Sequence, residues 1–387
     1  MLDGGIELTT KNQHYVARCI LKNFSNNKLQ IFEKLVESNK EPYLTKYTQA
    51  MTENYTYEHT NLETNELEDH FSIVYEDKFA PALVNLLQLL EEFDEGTGNI
   101  LEVKKIIASH ISTIIVFYYR SGALLHEFEY ERNNKEDRII LLLENIMNSR
   151  YILELGKTII NKYQICIIKS DDCHFLLSDQ YLSTAALGIK NNFFDMSNRH
   201  IGLKDVMILV PISSKYYIVF FDGKRPLYIS PNKLISLKKE EVREINKVII
   251  NNSYVKCVAQ YKEALLEASP QFEFKSPSAT YAGFDSGSVM GSNRKKEIFF
   301  YENDERIWDF FGMHDLYKYS KSGANELCPC GSQMKFKRCH MDRYKGAKRM
   351  MDEIGQEQYE RYLIDPNGMV ERPIGAFYSN KKRPPLI

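Results

Sequence analysis

The chain has 387 residues, 43% of them hydrophobic, and a formal net charge of −2 at pH 7. This length allows a large buried core with an appended module, and the near-neutral charge gives no global reason to expect a nucleic-acid partner. No apolar run approaches the roughly 20 residues needed to span a bilayer, and residues 1–5 lack the features of a secretory signal, so we expect a cytoplasmic protein that does not contact membranes.

The N-terminal part of the chain begins with a predicted helix. Apolar residues recur every four positions over residues 12–24, and this period places His14 and Arg18 on one helix face. Alternating apolar and polar residues from Leu29 to Leu35 predict a strand. The sequence therefore predicts a helix and then a strand, with an imidazole and a guanidinium within reach of each other.

Three helical stretches are predicted after this strand, over residues 61–100, 101–125 and 136–160. The first is strongly acidic, because it holds ten Asp and Glu residues against Lys78, a net charge of −9. Its simplest interpretation is a solvated helix face, which would repel nucleic acid unless a metal ion intervened.

Short strands dominate the next part of the chain. Residues 164–168 and 175–177 are predicted to form one hairpin, and residues 206–211 and 216–221 a second. Helical periodicity returns over residues 232–266. Because helices and hairpins are segregated along the chain, we predict an α+β fold, in which a large and mostly helical domain carries a small antiparallel sheet.

Changes in composition divide the chain into five predicted segments. A stretch rich in Ser and Gly follows the large domain, and aromatic residues separate this stretch from a Cys-rich module. The predicted boundaries are 1–275 for the large α+β domain, 276–303 for a flexible linker, 304–325 for an aromatic connector, 326–342 for the Cys-rich module, and 343–387 for a helix and a basic tail.

Four metal-binding side chains lie close together in the Cys-rich module: Cys328, Cys330, Cys339 and His340. Three thiolates and one imidazole complete the tetrahedral coordination that zinc adopts in structural sites. Since a closed ligand set leaves no position for a reacting water, the metal is predicted to fold this segment, called the zinc knuckle below, and not to catalyse a reaction.

The Cys-x-Cys-x8-Cys-His spacing of the zinc knuckle resembles the SEC-C motif, first noted at the C-terminus of the SecA preprotein translocase. The flanking residues resemble that motif as well: Gly323-Ala324-Asn325-Glu326 and Lys335-Phe336-Lys337. Residues 321–350 carry eight Lys and Arg against two acidic residues, a net charge of +6. Such a surface suits an RNA or an acidic protein partner, and a solvated face without a fixed partner accounts for it equally well.

The N-terminal run resembles the opening motif of a bacterial and phage family catalogued as domain of unknown function 4238. The residues that carry this resemblance are Gln13-His14-Tyr15-Val16-Ala17-Arg18, Leu21 and Phe24, with Arg120 after an apolar helix and Ser178-Asp179 after a short strand. The resemblance covers residues 10–270. The chain departs from the family at Ala17, where the family has Pro, and at Gln180-Tyr181, where it has Asn-Pro. The family name carries no activity, so the resemblance implies a fold and not a reaction.

The candidate catalytic residues are His14, Arg18, Arg120 and Asp179. A His side chain transfers protons near neutral pH, and Arg binds phosphate bidentately. One hypothesis is a metal-independent ribonuclease, in which His14 deprotonates a 2′-hydroxyl, the two arginines bind phosphate and Asp179 orients the imidazole.

Two alternatives use the same residues differently. In the first, Glu68 and Glu76 from the acidic stretch join Asp179 around Mg²⁺, as in a metal-dependent nuclease. In the second, Arg18 and Asp179 form a buried ion pair that fixes a helix to a sheet, while His14 makes a local hydrogen bond.

The two modules together predict a prokaryotic or phage effector that cleaves RNA or DNA in anti-phage defence or in a toxin-like system. The alternative is a non-enzymatic sensor or adaptor that docks a partner through its zinc knuckle. The two functions predict different geometry, because a nuclease needs its candidate residues around one open cleft, whereas an adaptor allows them to be buried and mutually paired.

Overall fold

The computed structural model describes residues 12–121, 149–186, 206–223, 228–272 and 316–346, together with a few shorter stretches. The described residues fall into two compact units. The first holds almost all of the described residues up to 272, and the second holds the Cys-rich segment 316–346.

The first unit opens with a strand and not with the predicted helix. Strand β1 (Asn12–His14) pairs antiparallel with β4 (Thr52–Asn54), and helix α1 spans Arg18–Asn23. The helix prediction is wrong for residues 12–17, because residues 12–14 pair with a strand that a local sequence pattern does not reveal and the helix begins only at Arg18. Ala17, in an extended conformation, precedes the first helical residue.

Helices follow the first strands, as the sequence predicts. Two more strands are β2 (Gln30–Leu35), which confirms the predicted strand, and β3 (Tyr43–Lys46). The helices are α2 (Glu66–His70), a π-helix (Phe71–Glu76), α3 (Asp77–Asp94), α4 (Ile100–Arg120) and α5 (Ser149–Lys162). Helix α3 packs against α4, and α4 packs against α5. The side chain of Asn99 begins α4 by accepting a hydrogen bond from the Leu101 amide at 2.9 Å.

The rest of the first unit alternates strands with two helices. The strands are β5 (Gln164–Lys169), β6 (Leu177–Ser178), β7 (Ser183–Ala186), β8 (Val206–Pro211), β9 (Tyr216–Phe221), β10 (Leu234–Ser236) and β11 (Lys256–Ala259). Helix α6 (Lys239–Asn252) precedes β11 and helix α7 (Lys262–Ala268) follows it, before a 3₁₀ turn (Ser269–Gln271). The predicted helix over 232–266 is therefore interrupted by two strands. Shorter strands are β12 (Ala282–Gly283), β13 (Val289–Met290) and β14 (Phe299–Phe300).

Two sheets dominate this unit. In one, strands β10, β5, β9, β8 and β7 lie side by side in that order, and in the other the order is β3, β2, β11, β6. The predicted hairpin of β8 and β9 is confirmed, with Ile208 opposite Phe220. The predicted hairpin of β5 and β6 is wrong, because β5 pairs with β9 and β10 while β6 pairs with β11 in the other sheet.

The fold is a mixed α+β arrangement, as predicted. The finer prediction of one small antiparallel sheet in a mostly helical domain is not confirmed, since β10 and β5 pair in parallel and both sheets have at least four strands. The four central residues of β5 are all buried, a pattern that fits a strand covered on both faces and not a two-stranded hairpin.

The second unit is small. Helix α8 (Leu316–Ser320) precedes the knuckle, a 3₁₀ turn (Phe336–Arg338) lies within it, and residues 341–346 are helical. The rest of the predicted helix and tail, and most of the predicted linker and connector, lie outside the described residues.

Among the helices that the structure describes, none combines the length and the apolar character needed to cross a bilayer.

Candidate functional site

The predicted zinc ligands lie together in the second unit. One ligand atom from each of Cys328, Cys330, Cys339 and His340 lies within 4.8 Å of all the others. The sulfurs of Cys330 and Cys339 are 3.6 Å apart, and Nδ1 of His340 lies 3.1 Å from the Cys339 sulfur. A tetrahedron with Zn–S bonds of about 2.3 Å has edges of about 3.8 Å, so the cluster is compatible with one zinc ion.

A tight hairpin carries the first two of these cysteines. Leu327 and Lys335 form an antiparallel bridge, and the Cys328 amide donates to the Met334 carbonyl at 2.8 Å. Gly331 lies in the turn with a φ of +82°, in the left-handed region that glycine adopts without strain. The glycine that follows the second cysteine is therefore required by the backbone.

Aromatic rings form the small apolar core of this unit. Tyr319, Cys328 and Phe336 are buried, and Tyr344 stacks on Tyr319 with 6.3 Å between ring centroids. Tyr319 also meets the ring of His340 edge-on at 6.0 Å. These few rings bury little apolar area, and a zinc ion bound to the cluster would stabilise the fold of this unit.

Hydrogen bonding and burial shift the pKa values of two of the thiols in opposite directions. The hydroxyl of Ser332 lowers the pKa of Cys330 to about 7, whereas burial raises the pKa of Cys328 to about 11. The Ser332 oxygen also lies 3.2 Å from the Cys339 sulfur. Zinc binds thiolates, so metal binding to this cluster releases protons and is weaker in acid.

In the first unit, His14 and Arg18 meet although they do not share a helix. The Nε of Arg18 donates to Nδ1 of His14 at 3.3 Å, so the neutral imidazole carries its proton on Nε2. This Nε2 is buried, and a backbone hydrogen bond with Thr48 also acts on the imidazole. Burial, followed by the charges of Arg18 and Arg120, lowers the pKa of His14 to about 3. In this arrangement His14 is neutral near pH 7, and neither ring nitrogen is free to act as a general base.

Arg120, the last residue of α4, is fully buried and meets two carboxylates. Its Nη1 donates to Glu76 in a close ion pair, and its Nη2 lies 3.5 Å from Oε2 of Glu68. The same Nη2 donates to the His14 carbonyl at 2.7 Å, and the guanidinium carbon lies 4.6 Å from the centre of the Phe71 ring. The charge of Arg120 is thus balanced by protein groups and is not directed at an open phosphate site.

The π-helix explains how Glu68 and Glu76 reach the same guanidinium. In a continuous α-helix, residues seven apart share a face, and residues eight apart are rotated by about 80°. The wide turn over Phe71–Glu76 inserts one extra residue and brings residues eight apart back into line. Burial raises the pKa of Glu68 in spite of the neighbouring Arg120. Such π-turns occur frequently at functional sites.

Asp179 makes a different set of contacts. Its carboxylate accepts hydrogen bonds from the amides of Tyr254, Val255 and Lys256 at 2.9, 2.7 and 2.8 Å. Burial and then the charge of Asp179 raise the pKa of Tyr15, so the carboxylate lies near the residue that follows His14. Asp179 therefore holds the start of β11 in place, while the other three candidate residues gather with Glu68 and Glu76.

The turn after Asp179 differs from the one that the family pattern implies. Tyr181 has a φ of +65°, and its amide donates to the Ser178 carbonyl at 3.0 Å. A proline at this position has a φ fixed near −65° and no amide hydrogen, so it cannot form this turn. The replacement of Asn-Pro by Gln180-Tyr181 thus changes the local backbone.

The predicted magnesium site is not supported. In the ranges that the structure covers, the Cys and His cluster of the knuckle is the one group of three or more potential ligands close enough to hold a metal ion. Glu68 and Glu76 are engaged with Arg120, and Asp179 with backbone amides.

Sequence reasoning missed two residues of the Arg120 cluster. The Tyr57 hydroxyl donates to the Arg120 carbonyl at 2.8 Å, and Oε1 of Gln13 accepts from the Tyr57 amide at 2.7 Å. Gln13 is buried and belongs to the N-terminal motif, which was a usable signal, whereas Tyr57 lies in a turn without any periodic pattern.

Comparison with known families covers both units. Residues 12–263 match the family model described as protein of unknown function (DUF4238), and residues 325–342 match the SEC-C motif, which includes all four predicted zinc ligands. No solved structure matches the chain. Because the first match spans well over half of the 387 residues and includes all four candidate catalytic residues, this protein belongs to the DUF4238 family and carries a C-terminal SEC-C motif.

Proposed function

We propose that this protein is an adaptor whose zinc knuckle docks onto an acidic, partly apolar surface of another protein. The observation that carries the proposal is a pair of exposed apolar side chains, Leu327 and Met334, on the two arms of the metal-binding hairpin. They are 66% and 49% exposed.

Exposed cations lie around this apolar pair. The exposed basic residues of the described knuckle and its flanks are Lys318, Lys321, Lys335, Lys337, Arg338, Arg343 and Lys345. The acidic residues of the same region are Glu326 and Asp342. A partner that offers carboxylates around an apolar patch complements both properties.

A protein partner fits this surface better than a nucleic acid. Single-stranded nucleic acids bind through exposed aromatic rings on which bases stack. In the described knuckle, Tyr319 and Phe336 are buried and Tyr344 packs against them, so the rings are used in the core. The closed ligand set is also expected of a metal that holds a docking surface and not of a catalytic metal.

The test is fluorescence anisotropy with two labelled probes, a peptide of alternating Glu and Leu and an oligouridine of equal charge. We expect the peptide to bind more tightly, and we expect the double substitution Leu327→Ser with Met334→Ser to weaken its binding at least about tenfold. Leu153→Ser is the matched control, since Leu153 is 53% exposed on α5. Tighter binding of the RNA, or peptide binding that the double variant leaves unchanged, would overturn the proposal.

A second candidate function is phosphodiester cleavage by the first unit, in the setting of anti-phage defence or a toxin-like system. One observation favours it: within the described residues, Glu68 Oε2 and Arg120 Nε are buried without a hydrogen-bond partner. Unsatisfied buried polar atoms are costly, and a catalytic role is one explanation for them. Against it stands the burial of His14 and Arg120 and the pairing of Arg120 with two carboxylates.

Cleavage of labelled RNA and DNA with and without Mg²⁺ tests this second function. Arg18→Ala is the most informative variant, because Arg18 is exposed. Its replacement removes the hydrogen bond to His14 but leaves the pairs of Arg120 with Glu68 and Glu76 intact. Cleavage that Arg18→Ala abolishes would establish a nuclease. Absence of cleavage by the wild-type protein in every condition would leave the adaptor as the function of both units.

A further inference from the structure

Helix α3 presents an exposed stripe that other elements of the first unit leave uncovered. The exposed residues of this stripe recur at spacings of four and three, and they are Asp77, Pro81, Val84, Gln88, Glu91 and Glu95. Residues at these spacings share one face of a helix. Val84, near the middle of the stripe, is 69% exposed, and Ile73 in the preceding π-helix is 65% exposed.

Acidic residues crowd the C-terminal end of this helix. Glu91, Glu92 and Glu95 lie where the helix dipole is already negative, and no basic residue lies in the last turn. Negative charges at a helix C-terminus are unfavourable, because the helix dipole is negative there. Asp94 differs from them, because its carboxylate accepts two hydrogen bonds from Lys169 at 2.8 and 2.7 Å.

The stripe and the knuckle have matching chemistry. The stripe exposes the acidic residues Asp77, Glu91 and Glu95, and residues 321–350 carry a net charge of +6. Each surface also has exposed apolar side chains beside its charges, Ile73 and Val84 on one, Leu327 and Met334 on the other. Complementary charges determine the register of two docked surfaces and the rate at which they associate. Apolar contact supplies most of the affinity.

We propose that the zinc knuckle of one copy of this protein docks on the outer face of helix α3 of a second copy. The proposal rests on the docking function proposed above and names the partner surface. Since every copy carries both surfaces, a reciprocal exchange buries two such contacts and closes a dimer. The cations of the knuckle then compensate for the unfavourable negative charges at the C-terminal end of α3.

Sedimentation velocity of the full chain, from low to high micromolar concentration, tests the proposal. At about 50 mM salt we expect a dimer whose population depends on protein concentration. At about 500 mM salt its dissociation constant should rise at least tenfold, because the shorter Debye length screens the attraction between exposed charges. Val84→Ser should weaken the dimer, and Leu153→Ser should leave it unchanged.

Charge exchange between two variants makes the test specific. One variant carries Glu91→Lys and Glu95→Lys, which leaves Asp77 as the one acidic residue of the stripe and makes its C-terminal end basic. The other carries Lys335→Glu, Lys337→Glu, Arg343→Glu and Lys345→Glu, which changes the net charge of residues 321–350 from +6 to −2. Each variant alone should be monomeric, and an equimolar mixture should form heterodimers, since both contacts are then complementary. Glu154→Lys on α5, where the glutamate side chain is 61% exposed, is the control for a general charge effect.

Two results would overturn the proposal. One is a wild-type protein that stays monomeric at every concentration and salt, and the other is a dimer that both charge variants retain. Neither result touches the docking function itself, because binding of the acidic peptide is measured separately. Loss of that peptide binding together with a monomeric wild type would instead remove both proposals.

Discussion

Glu76 and Arg120 form a buried ion pair between residues 44 positions apart in the chain. Arg120 ends helix α4, where the helix dipole favours a cation, and Glu76 ends the π-helix. Glu68, eight residues before Glu76, also balances the charge of the guanidinium. The pair therefore joins two helices through a charge that neither could bury alone.

Replacing Arg120 by Met should destabilise the protein severely. The side chains of Glu68 and Glu76 are only 13% and 16% exposed, and the substitution leaves two carboxylates without their cation. We expect a loss of about 3–5 kcal/mol in the free energy of unfolding, measured with urea. Lys105→Met is the control, since Lys105 pairs with Glu102 at the surface and should matter by less than about 0.5 kcal/mol. A loss below about 1 kcal/mol for Arg120→Met would show that the pair is hydrated.

Asp179→Asn should weaken the junction between β6 and β11. The carboxylate accepts three amide hydrogen bonds, whereas the amide group of Asn turns one donor toward amides that also donate. We expect the free energy of unfolding, measured with urea, to fall by about 2–4 kcal/mol, and we expect faster hydrogen exchange at the amides of Val255 and Lys256. Asp77→Asn, on the exposed face of α3, should be nearly neutral. Equal effects of the two substitutions would contradict this assignment.

Acid should destabilise the protein through His14. The folded-state pKa of His14 is about 3, below its ordinary value near 6.5, so the unfolded chain binds the proton first as the pH falls. Stability is therefore lost between about pH 6.5 and pH 3. Between pH 7 and pH 5, His14 lowers the free energy of unfolding by about 2 kcal/mol. His14→Gln should remove this share of the pH dependence of urea unfolding, although it lowers stability at pH 7. An unchanged slope in the variant would mean that the imidazole is protonated or hydrated in the folded protein.

Purified protein should contain about one zinc ion per chain by mass spectrometry of metals. Chelation, or Cys339→Ser, should abolish the near-ultraviolet circular dichroism of the rings around Tyr319, while the first unit keeps its own cooperative unfolding transition. Cys173→Ser is the control, because this half-buried thiol lies outside the knuckle. Loss of both transitions on chelation would contradict the division into two units.

The Cys and His cluster was predictable because the whole cluster is local. The ligands lie between residues 328 and 340, so their spacing and the intervening glycine specify the geometry. Their partners in the core, Tyr319 and Phe336, also lie within a few residues of the ligands. A site of this kind needs no knowledge of the rest of the fold.

The first unit shows why the remaining features were not predictable. Residues 12–14 form a strand because of Thr52–Asn54, and Leu177 joins a sheet because of Val258. The spacing of apolar residues in the sequence does not reveal the π-turn that aligns Glu68 with Glu76. Candidate residues could be chosen from the family motif, but whether Arg120 faces a cleft or a carboxylate depends on contacts between distant segments.

The pairing of β2 with β11 has a consequence for biosynthesis. Phe32 lies opposite Ala259, so more than 200 residues separate the two halves of this ladder. At roughly 5–20 residues per second, the ribosome needs on the order of 10–45 s to deliver the second half. Over that interval β2 has only β3 as a neighbour, and its other edge displays unpaired amides and carbonyls. The nascent chain is therefore most vulnerable to aggregation, and most dependent on chaperones, before residue 256 emerges.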